Sequence, residues 1–380
     1  MKISGAWLED PATQTVLGLL AQAGHLAYVV GGCVRNAALG VDVTDVDIAT
    51  SARPEQVMAL AEAGGLRAVP TGLPHGTVTL VCDGQGFEVT TFRRDVETHG
   101  RHATIAFADN VTDDARRRDF TMNALYADAS GHVIDPLGGG LADLRARRVR
   151  FVGTAAHRIH EDYLRILRFF RFHAQYGDPA RGLDAEALAA CADGVDGIDQ
   201  LSAERLGAEM RRLLAAPDPA PAVAAMAQCG ALARVLPGAD VTALAPLVHL
   251  EGTAPPRWLR RLAVLGGATD RLRLTKLEAR DLARIRAALA DNQPAAALGY
   301  RSGAELAQDI CLARAALLGQ PLPQGWQAEI TRGAKARFPI RARDLPHLQG
   351  PELGAALKAL ETRWIESDFR AGKSELLDQA

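Results

Sequence analysis

The sequence predicts an α+β chain: a small head built of a mixed sheet plus helices, followed by an all-α remainder. Through residue 92, short apolar runs of strand length alternate with helix-like segments. From His157 onward, apolar residues recur at helical spacing. Proline-rich joints near 217–221, 254–256 and 321–323 then divide the helical part. The 380 residues are 48% hydrophobic, which at about 150 residues per domain suggests two or three units. The expected boundaries are 1–150, 151–240 and 241–380.

Residues 10–23 read as an amphipathic helix and Leu26–Val30 as a strand. Gly31-Gly32 then opens a short helix over Cys33–Leu39, and Asp45–Ala49 forms a second strand. Pro54–Ala63 starts on a proline, which suits the first turn of a helix. Thr77–Cys82 and Phe87–Phe92 flank Asp83-Gly84-Gln85-Gly86, a hairpin signal. Arg93–Asn110 is polar with little periodicity and is expected to be a mobile loop. Gly138–Gly140 forms a second glycine cluster ahead of Asp143-Leu144. Tyr163, Ile166, Leu167, Phe170 and Ala174 share a helical face, and 184–193, 202–216, 219–229 and 303–318 read as further helices. No internal repeat or low-complexity tail is visible.

Composition removes several function classes. No apolar run approaches the ~18 residues of a membrane span, and the first ten residues meet acid too soon for a secretory signal. Five cysteines without a Cys-x-x-Cys pair exclude a thiolate zinc site and fit a reducing, cytoplasmic setting. A net charge of −2 argues against indiscriminate coating of nucleic acid. Lysine occurs only as Lys2, Lys276, Lys335, Lys358 and Lys373, so arginine supplies nearly all the basic charge. GC-rich coding explains such a bias as readily as phosphate recognition does.

Three groups of residues carry chemistry. In the first, Gly31 and Gly32 open the short helix that bears Arg35, and a glycine turn at a helix start gathers free N–H groups for an anion. Asp45 and Asp47 follow one residue apart, on one face if the segment is a strand. Two acids that close repel unless a cation sits between them, and an oxygen-only donor set favours Mg²⁺. Phosphate cradle plus paired acids thus points to phosphoryl or nucleotidyl transfer. Glu88 either supplies a third acid or ends a hairpin.

The second group is Arg116-Arg117-Arg118-Asp119-Phe120-Thr121-Met122-Asn123. It reads as a charged helix start with Asp119 as its cap, or as a phosphate and ribose site using Arg117, Arg118, Asp119 and Asn123. Asp119 and Asn123 share a face if the segment is helical. The third group is Glu161-Asp162-Tyr163-Leu164-Arg165-Ile166-Leu167-Arg168, continuing to Arg171. Asp162, Arg165 and Arg168 would form one ridge of a single helix, either as internal salt bridges or as readers of a base. Cytosine and adenine both place an amino donor beside a ring-nitrogen acceptor, which a carboxylate and a guanidinium match. Guanine and uracil present the reverse order.

Taken together, these motifs resemble the class II tRNA nucleotidyltransferases, the CCA-adding enzymes, which share their sequence class with bacterial poly(A) polymerases. The likeness runs from about residue 25 to 215. It includes Gly31-Gly32-Cys33-Val34-Arg35 with Asp45-Val46-Asp47, Arg117–Ala124, Gly139–Leu144, Glu161–Arg168 and Ser202-Ala203-Glu204-Arg205. It implies a polymerase-β-like nucleotidyltransferase head followed by helical neck, body and tail. It implies that Asp45 and Asp47 hold Mg²⁺ and that Gly32 and Arg35 meet the triphosphate of CTP or ATP. Arg118, Asp119 and Asn123 would bind ribose and phosphate. Asp162 and Arg165 would read the base, with Arg168 and Arg171 in support. The partner implied is the 3′ end and acceptor region of tRNA, with no membrane or DNA. Asn36 departs from the aspartate usual in the family after Val-Arg, so altered electrostatics are expected at that turn.

A poly(A) polymerase of the same class, or an enzyme adding only CC or only A, would share these motifs. A catalytically silent RNA-binding protein fits poorly with intact Asp45 and Asp47, and the first turn lacks the Gly-x-Gly-x-x-Gly of a dinucleotide binder. For duplex RNA, the basic clusters are Arg257, Arg260 and Arg261; Arg271, Arg273 and Lys276; and Arg332, Lys335, Arg337, Arg341 and Arg343. Each reads equally as a solvated helix face.

Overall fold

The computed structural model describes residues 1–99 and 102–378, with only the backbone described for 95–99 and 102–105. These residues separate into two compact units. One comprises Met1–Pro237 with Ala268–Arg273, the other Gly238–Gly267 with Leu274–Ala380.

The first unit begins with α1 (Ala6–Glu9) and α2 (Pro11–Gln22), the latter capped by the Asp10 carboxylate on the Ala12 N–H. Then β1 (Ala27–Val30), α3 (Gly32–Leu39), β2 (Asp47–Thr50) and α4 (Pro54–Ala63) follow. The sheet continues in β3 (Arg67–Gly72), β4 (Thr77–Cys82) and β5 (Gln85–Thr91). The segment expected as a loop is instead a ribbon of β6 (Arg93–His99) and β7 (His102–Phe107), paired antiparallel from Arg93↔Phe107 to His99↔His102. Its polar sequence hid the strands, because alternation is legible only where one face is buried. Gly100 and Arg101 of that segment lie outside the described residues. The ribbon is anchored at its root. A Cβ on Gly76 would lie 2.8 Å from the Phe107 ring, and the Arg53 guanidinium covers the same ring at 5.1 Å.

After α5 (Val111–Arg116) come β8 (Tyr126–Ala127), β9 (Val133–Ile134) and α6 (Gly140–Arg145). Among the described residues the main sheet has seven strands in the order β3-β4-β5-β2-β1-β8-β9. β2 and β5 run parallel and the remaining neighbours antiparallel, which makes the sheet mixed as expected. β3 is a strand that the sequence reading passed over, since its middle carries Pro70 and its residues are half exposed. Val30, Ala49, Phe92, Ala115, Ala124 and Tyr126 form a core cluster.

The rest of this unit is helical: α7 (Ala155–Glu161), α8 (Leu164–Tyr176), α9 (Ala185–Asp193), α10 (Ala203–Leu214), α11 (Ala220–Gln228) and α12 (Ala231–Val235). α8 buries Ile166, Leu167, Phe169 and Phe170 and packs on α10. The second unit is all-α, built of α13 (Leu244–Glu251), α14 (Trp258–Leu265), α15 (Lys276–Leu289), α16 (Ala295–Ser302), α17 (Ala304–Leu318), α18 (Trp326–Lys335), α19 (Gly350–Glu366) and α20 (Lys373–Leu377). Among the described residues no helix is long and apolar enough to cross a membrane.

The second unit corrects one expectation about RNA. Arg260 and Arg261 are each 1% exposed, so neither contacts a ligand at the surface. Glu251 accepts from Arg260 Nε at 2.7 Å and from Arg261 Nη2 at 2.7 Å, and Asp309 accepts from Arg260 Nη1 at 3.0 Å. Arg257 pairs with Asp309 and Glu305. A buried guanidinium is tolerable only with such partners. These arginines are an internal ion network, and sequence spacing alone did not distinguish it from a basic face.

Candidate active site

β1 is followed by Gly31, whose φ of 73° and ψ of −114° suit glycine and release the chain into α3. A Cβ there would stand 3.2 Å from Arg118 Nη1, so any larger residue would also have to displace that guanidinium by a few tenths of an ångström. No side chain caps the start of α3. Its first N–H groups therefore remain unpaired with side chains and carry the positive end of the helix dipole.

β2 lies beside this turn and begins at Asp47. The buried Cys33 thiol on the first turn of α3 donates to the Val30 carbonyl at 3.3 Å, and burial, then the Asp47 charge, push it up to about 11. Cys33 is therefore a neutral packing group. Parallel pairing sets Asp47 opposite Glu88 of β5, and both are exposed. Asp45 stands in the loop before the strand, where Thr44 Oγ1 donates to it at 3.0 Å. Desolvation by surrounding protein raises the Asp47 pKa, and the charges of Glu88 and Asp45 raise it further. Arg118 opposes them. Glu88 and Asp45 thus act on Asp47 from an interior strand and from the loop before β2. Oxygen donors of this kind suit a hard divalent cation, although among the described residues no three acidic, histidine or cysteine side chains stand close enough to hold a metal ion together. The register places Glu88 across from Asp47, within β5 rather than at its end.

Arg118 is clamped to the sheet. Its Nη2 and Nε donate to Asp114 at 3.0 and 3.3 Å, Nε donates to the Tyr126 hydroxyl at 2.9 Å, and that hydroxyl donates to Asp114 at 2.6 Å. Arg117 stands 3.7 Å from the same carboxylate, and its carbonyl accepts from Arg158. Burial would raise Asp114, but Arg118 and Arg117 hold it below the usual carboxylate value.

Asp119 caps no α-helix. α5 stops at Arg116, and Thr121–Asn123 makes one 3₁₀ turn. Asp119 and Asn123 still meet, because Asn123 Nδ2 donates to Asp119 Oδ1 at 2.9 Å. Arg168 donates to Asp119 Oδ2 through Nε at 2.7 Å and Nη2 at 2.5 Å. Burial acts against the ionised Asp119, yet Arg168 and these hydrogen bonds hold its pKa down to about 2. Arg171 Nε donates to Glu209 at 2.6 Å. Arg35 Nη1 donates to Asn123 Oδ1 at 2.5 Å, so Arg35, Asn123, Asp119 and Arg168 form one chain of bonds.

Asp162 does not continue a helix into Arg168. α7 ends at Glu161, Asp162 is extended, and α8 starts at Leu164. The break has a local cause: Asp162 Oδ1 accepts the Leu164 N–H at 3.1 Å, as short acidic side chains do ahead of a helix. Its Oδ2 accepts from Arg205 Nη2 at 2.6 Å. Arg165 Nη1 donates to the Arg158 carbonyl at 2.8 Å and to the buried Glu161. Asp162 and Arg165 are thus each fixed by a separate partner.

All these residues except Asp45, which precedes β2, sit on or beside regular elements of the first unit. Sequence reasoning passed over several that hold them: Asp114, Tyr126, Arg158, Tyr176 and Glu209. Arg205 belongs to the Ser202–Arg205 motif, but its bond to Asp162 is not apparent from spacing. Arg158, three residues before Glu161, and Asp114, four before Arg118, carry a spacing signal.

Two family models match the chain: "Poly A polymerase head domain" over residues 27–150, and "Probable RNA and SrmB- binding site of polymerase A" over 182–242. The chain is 33% identical to the mitochondrial CCA tRNA nucleotidyltransferase 1 of Mus musculus, covering 94% of this chain and 87% of that one. It is 35% identical to the CCA-adding enzyme of Geobacillus stearothermophilus, covering 93% and 92%. Among solved structures it resembles the Bacillus stearothermophilus CCA-adding enzyme in complex with CTP, with a TM-score of 0.75 and 30% identity over 97% of this chain and 98% of that one.

Proposed function

From the premise that this chain belongs to the CCA-adding tRNA nucleotidyltransferases, we infer that it extends the 3′ end of tRNA, without a template, using CTP and ATP. The observation that carries this reading is the cross-strand pairing of Asp47 with Glu88, with the Asp45 charge acting on the same carboxylate, beside the uncapped start of α3. That is where an α-phosphate must meet an attacking 3′-hydroxyl.

The donor set fits Mg²⁺, with Asp45 and Asp47 as its holders and Glu88 beside them. Bound there, it would supply charge neutralisation for the phosphates and a lower pKa for the hydroxyl. The chain's own residues do the rest. Gly31 and Gly32 keep the turn open, so N–H groups of α3 and the Arg35 guanidinium face the triphosphate. Arg117 and Arg118 add positive charge, with Arg118 held at a fixed point by Asp114 and Tyr126. Asp119 and Asn123 meet the ribose. Asp162 accepts from the exocyclic amine of C or A and Arg165 donates to the ring nitrogen, while Arg168 and Arg171 brace the neck side.

In this scheme residues 1–150 are the catalytic head, 151–240 the neck that reads the base, and 241–380 the body and tail that take the tRNA. Five free cysteines support a cytoplasmic setting.

The test is product length. Purified protein with Mg²⁺, labelled CTP and ATP, separately and together, and tRNA lacking its last three nucleotides is expected to give two additions with CTP alone and three with both. An extended A tract would make it a poly(A) polymerase, and a stop after CC with both nucleotides present would make it a CC-adding enzyme.

A further inference from the structure

Arg35 is 7% exposed, yet every direct partner it has is neutral. Asn123 Oδ1 accepts from Nη1 at 2.5 Å, Asn36 Oδ1 from Nη2 and Nε at 2.9 and 3.2 Å, and the Tyr176 hydroxyl from Nη2 at 2.8 Å. Among the described residues no carboxylate pairs with it. The other buried arginines of the first unit differ: Arg158 has Glu161 and Arg171 has Glu209. Burial lowers the Arg35 pKa and the Arg171 charge adds to this, while Tyr176 and, beyond Asn123, the Asp119 carboxylate act in the opposite direction.

A guanidinium left in that state needs shape and dipoles to hold it. Tyr176 supplies both. Its ring centroid lies 4.1 Å from the Arg35 carbon, and its hydroxyl takes one hydrogen bond. Phe172 covers the same guanidinium at 5.2 Å. Both rings come from α8, whereas Arg35 belongs to α3 at the glycine turn. Asn36 fixes the loop from the other side by donating to the Asp42 carbonyl at 2.9 Å.

We propose that Tyr176 is a positioning residue for nucleotidyl transfer: it orients Arg35 against the glycine turn without cancelling its charge, so that the charge is first neutralised by the incoming triphosphate. This rests on the reading of Arg35 as a triphosphate contact. A carboxylate at the position of the Tyr176 hydroxyl would hold Arg35 equally well but neutralise it in the free protein. Neutral acceptors keep the site attractive to an anion.

The experiment is steady-state kinetics with CTP, and with ATP on tRNA already ending in CC, for Tyr176→Phe, Tyr176→Ala, Arg35→Ala and the double variant Arg35→Ala/Tyr176→Ala. Removing one hydrogen bond while keeping the ring is expected to raise KM about three-fold for both nucleotides. Removing the ring as well is expected to raise KM about ten-fold, with a smaller change in kcat. The double variant is expected to match Arg35→Ala alone, since a residue acting through another adds nothing once that residue is gone. A normal KM in Tyr176→Ala beside an impaired Arg35→Ala would overturn this inference alone, as would additive effects in the double variant. A normal Arg35→Ala would overturn both the inference and the triphosphate reading beneath it.

Discussion

If Asp47 holds the metal as proposed, Asp47→Ala is expected to reduce nucleotide transfer by about 10³-fold or more, since losing such a carboxylate removes several kcal/mol of transition-state stabilisation. The same substitution is expected to leave the fold as stable as before, or slightly more so. Asp47 is pushed up in pKa by surrounding protein and by Glu88 and Asp45. A carboxylate whose folded pKa exceeds its unfolded one opposes folding once ionised, so at neutral pH its removal relieves repulsion. Activity measured on truncated tRNA, thermal melting without metal, and tRNA binding by filter retention separate the effects. Transfer at a near-normal rate would refute the metal assignment. A lost fold would refute the claim that Asp47 is held there against its electrostatic preference.

Asp162→Ala is expected to change which base is added more than how much is added. A matched donor–acceptor pair discriminates by about 1–3 kcal/mol against the wrong base, so rejection of UTP relative to CTP should weaken by about 5- to 150-fold. Both carboxylate oxygens are already fixed, one by Arg205 and one by the Leu164 N–H, so the acceptor is aimed before any nucleotide arrives. Asp162→Asn provides the comparison that keeps the shape but turns one oxygen into a donor. Competition between CTP and UTP on tRNA ending before CCA reads the ratio directly. Unchanged refusal of UTP and GTP by Asp162→Ala would move base recognition to other residues.

The head was legible where apolar alternation met turn chemistry. The hairpin of β4 and β5 shows in Thr77–Cys82, Asp83-Gly84 and Phe87–Thr91, because one face is buried and the turn residues are specific. Pro54 and Gly64 bracket α4 for the same reason. The ribbon after Arg93 was not legible, having little apolar alternation, and neither was the break at Asp162, whose apolar neighbours keep helical spacing across it. Within the site, the residue types that do chemistry stand out by spacing. Those that hold them come from distant positions, as Tyr176 does for Arg35 and Arg205 for Asp162. Long-range side-chain pairing of this kind leaves no local pattern, and the same blindness made Arg260 and Arg261 look like a surface.

The most direct measurement is a crystal structure of the protein with CTP and a divalent cation. The account predicts a cation held by the Asp45 and Asp47 carboxylates, triphosphate oxygens against the start of α3 and Arg35, and the cytosine edge facing Asp162 and Arg165. CTP bound with its phosphates away from residues 45 and 47 would contradict it.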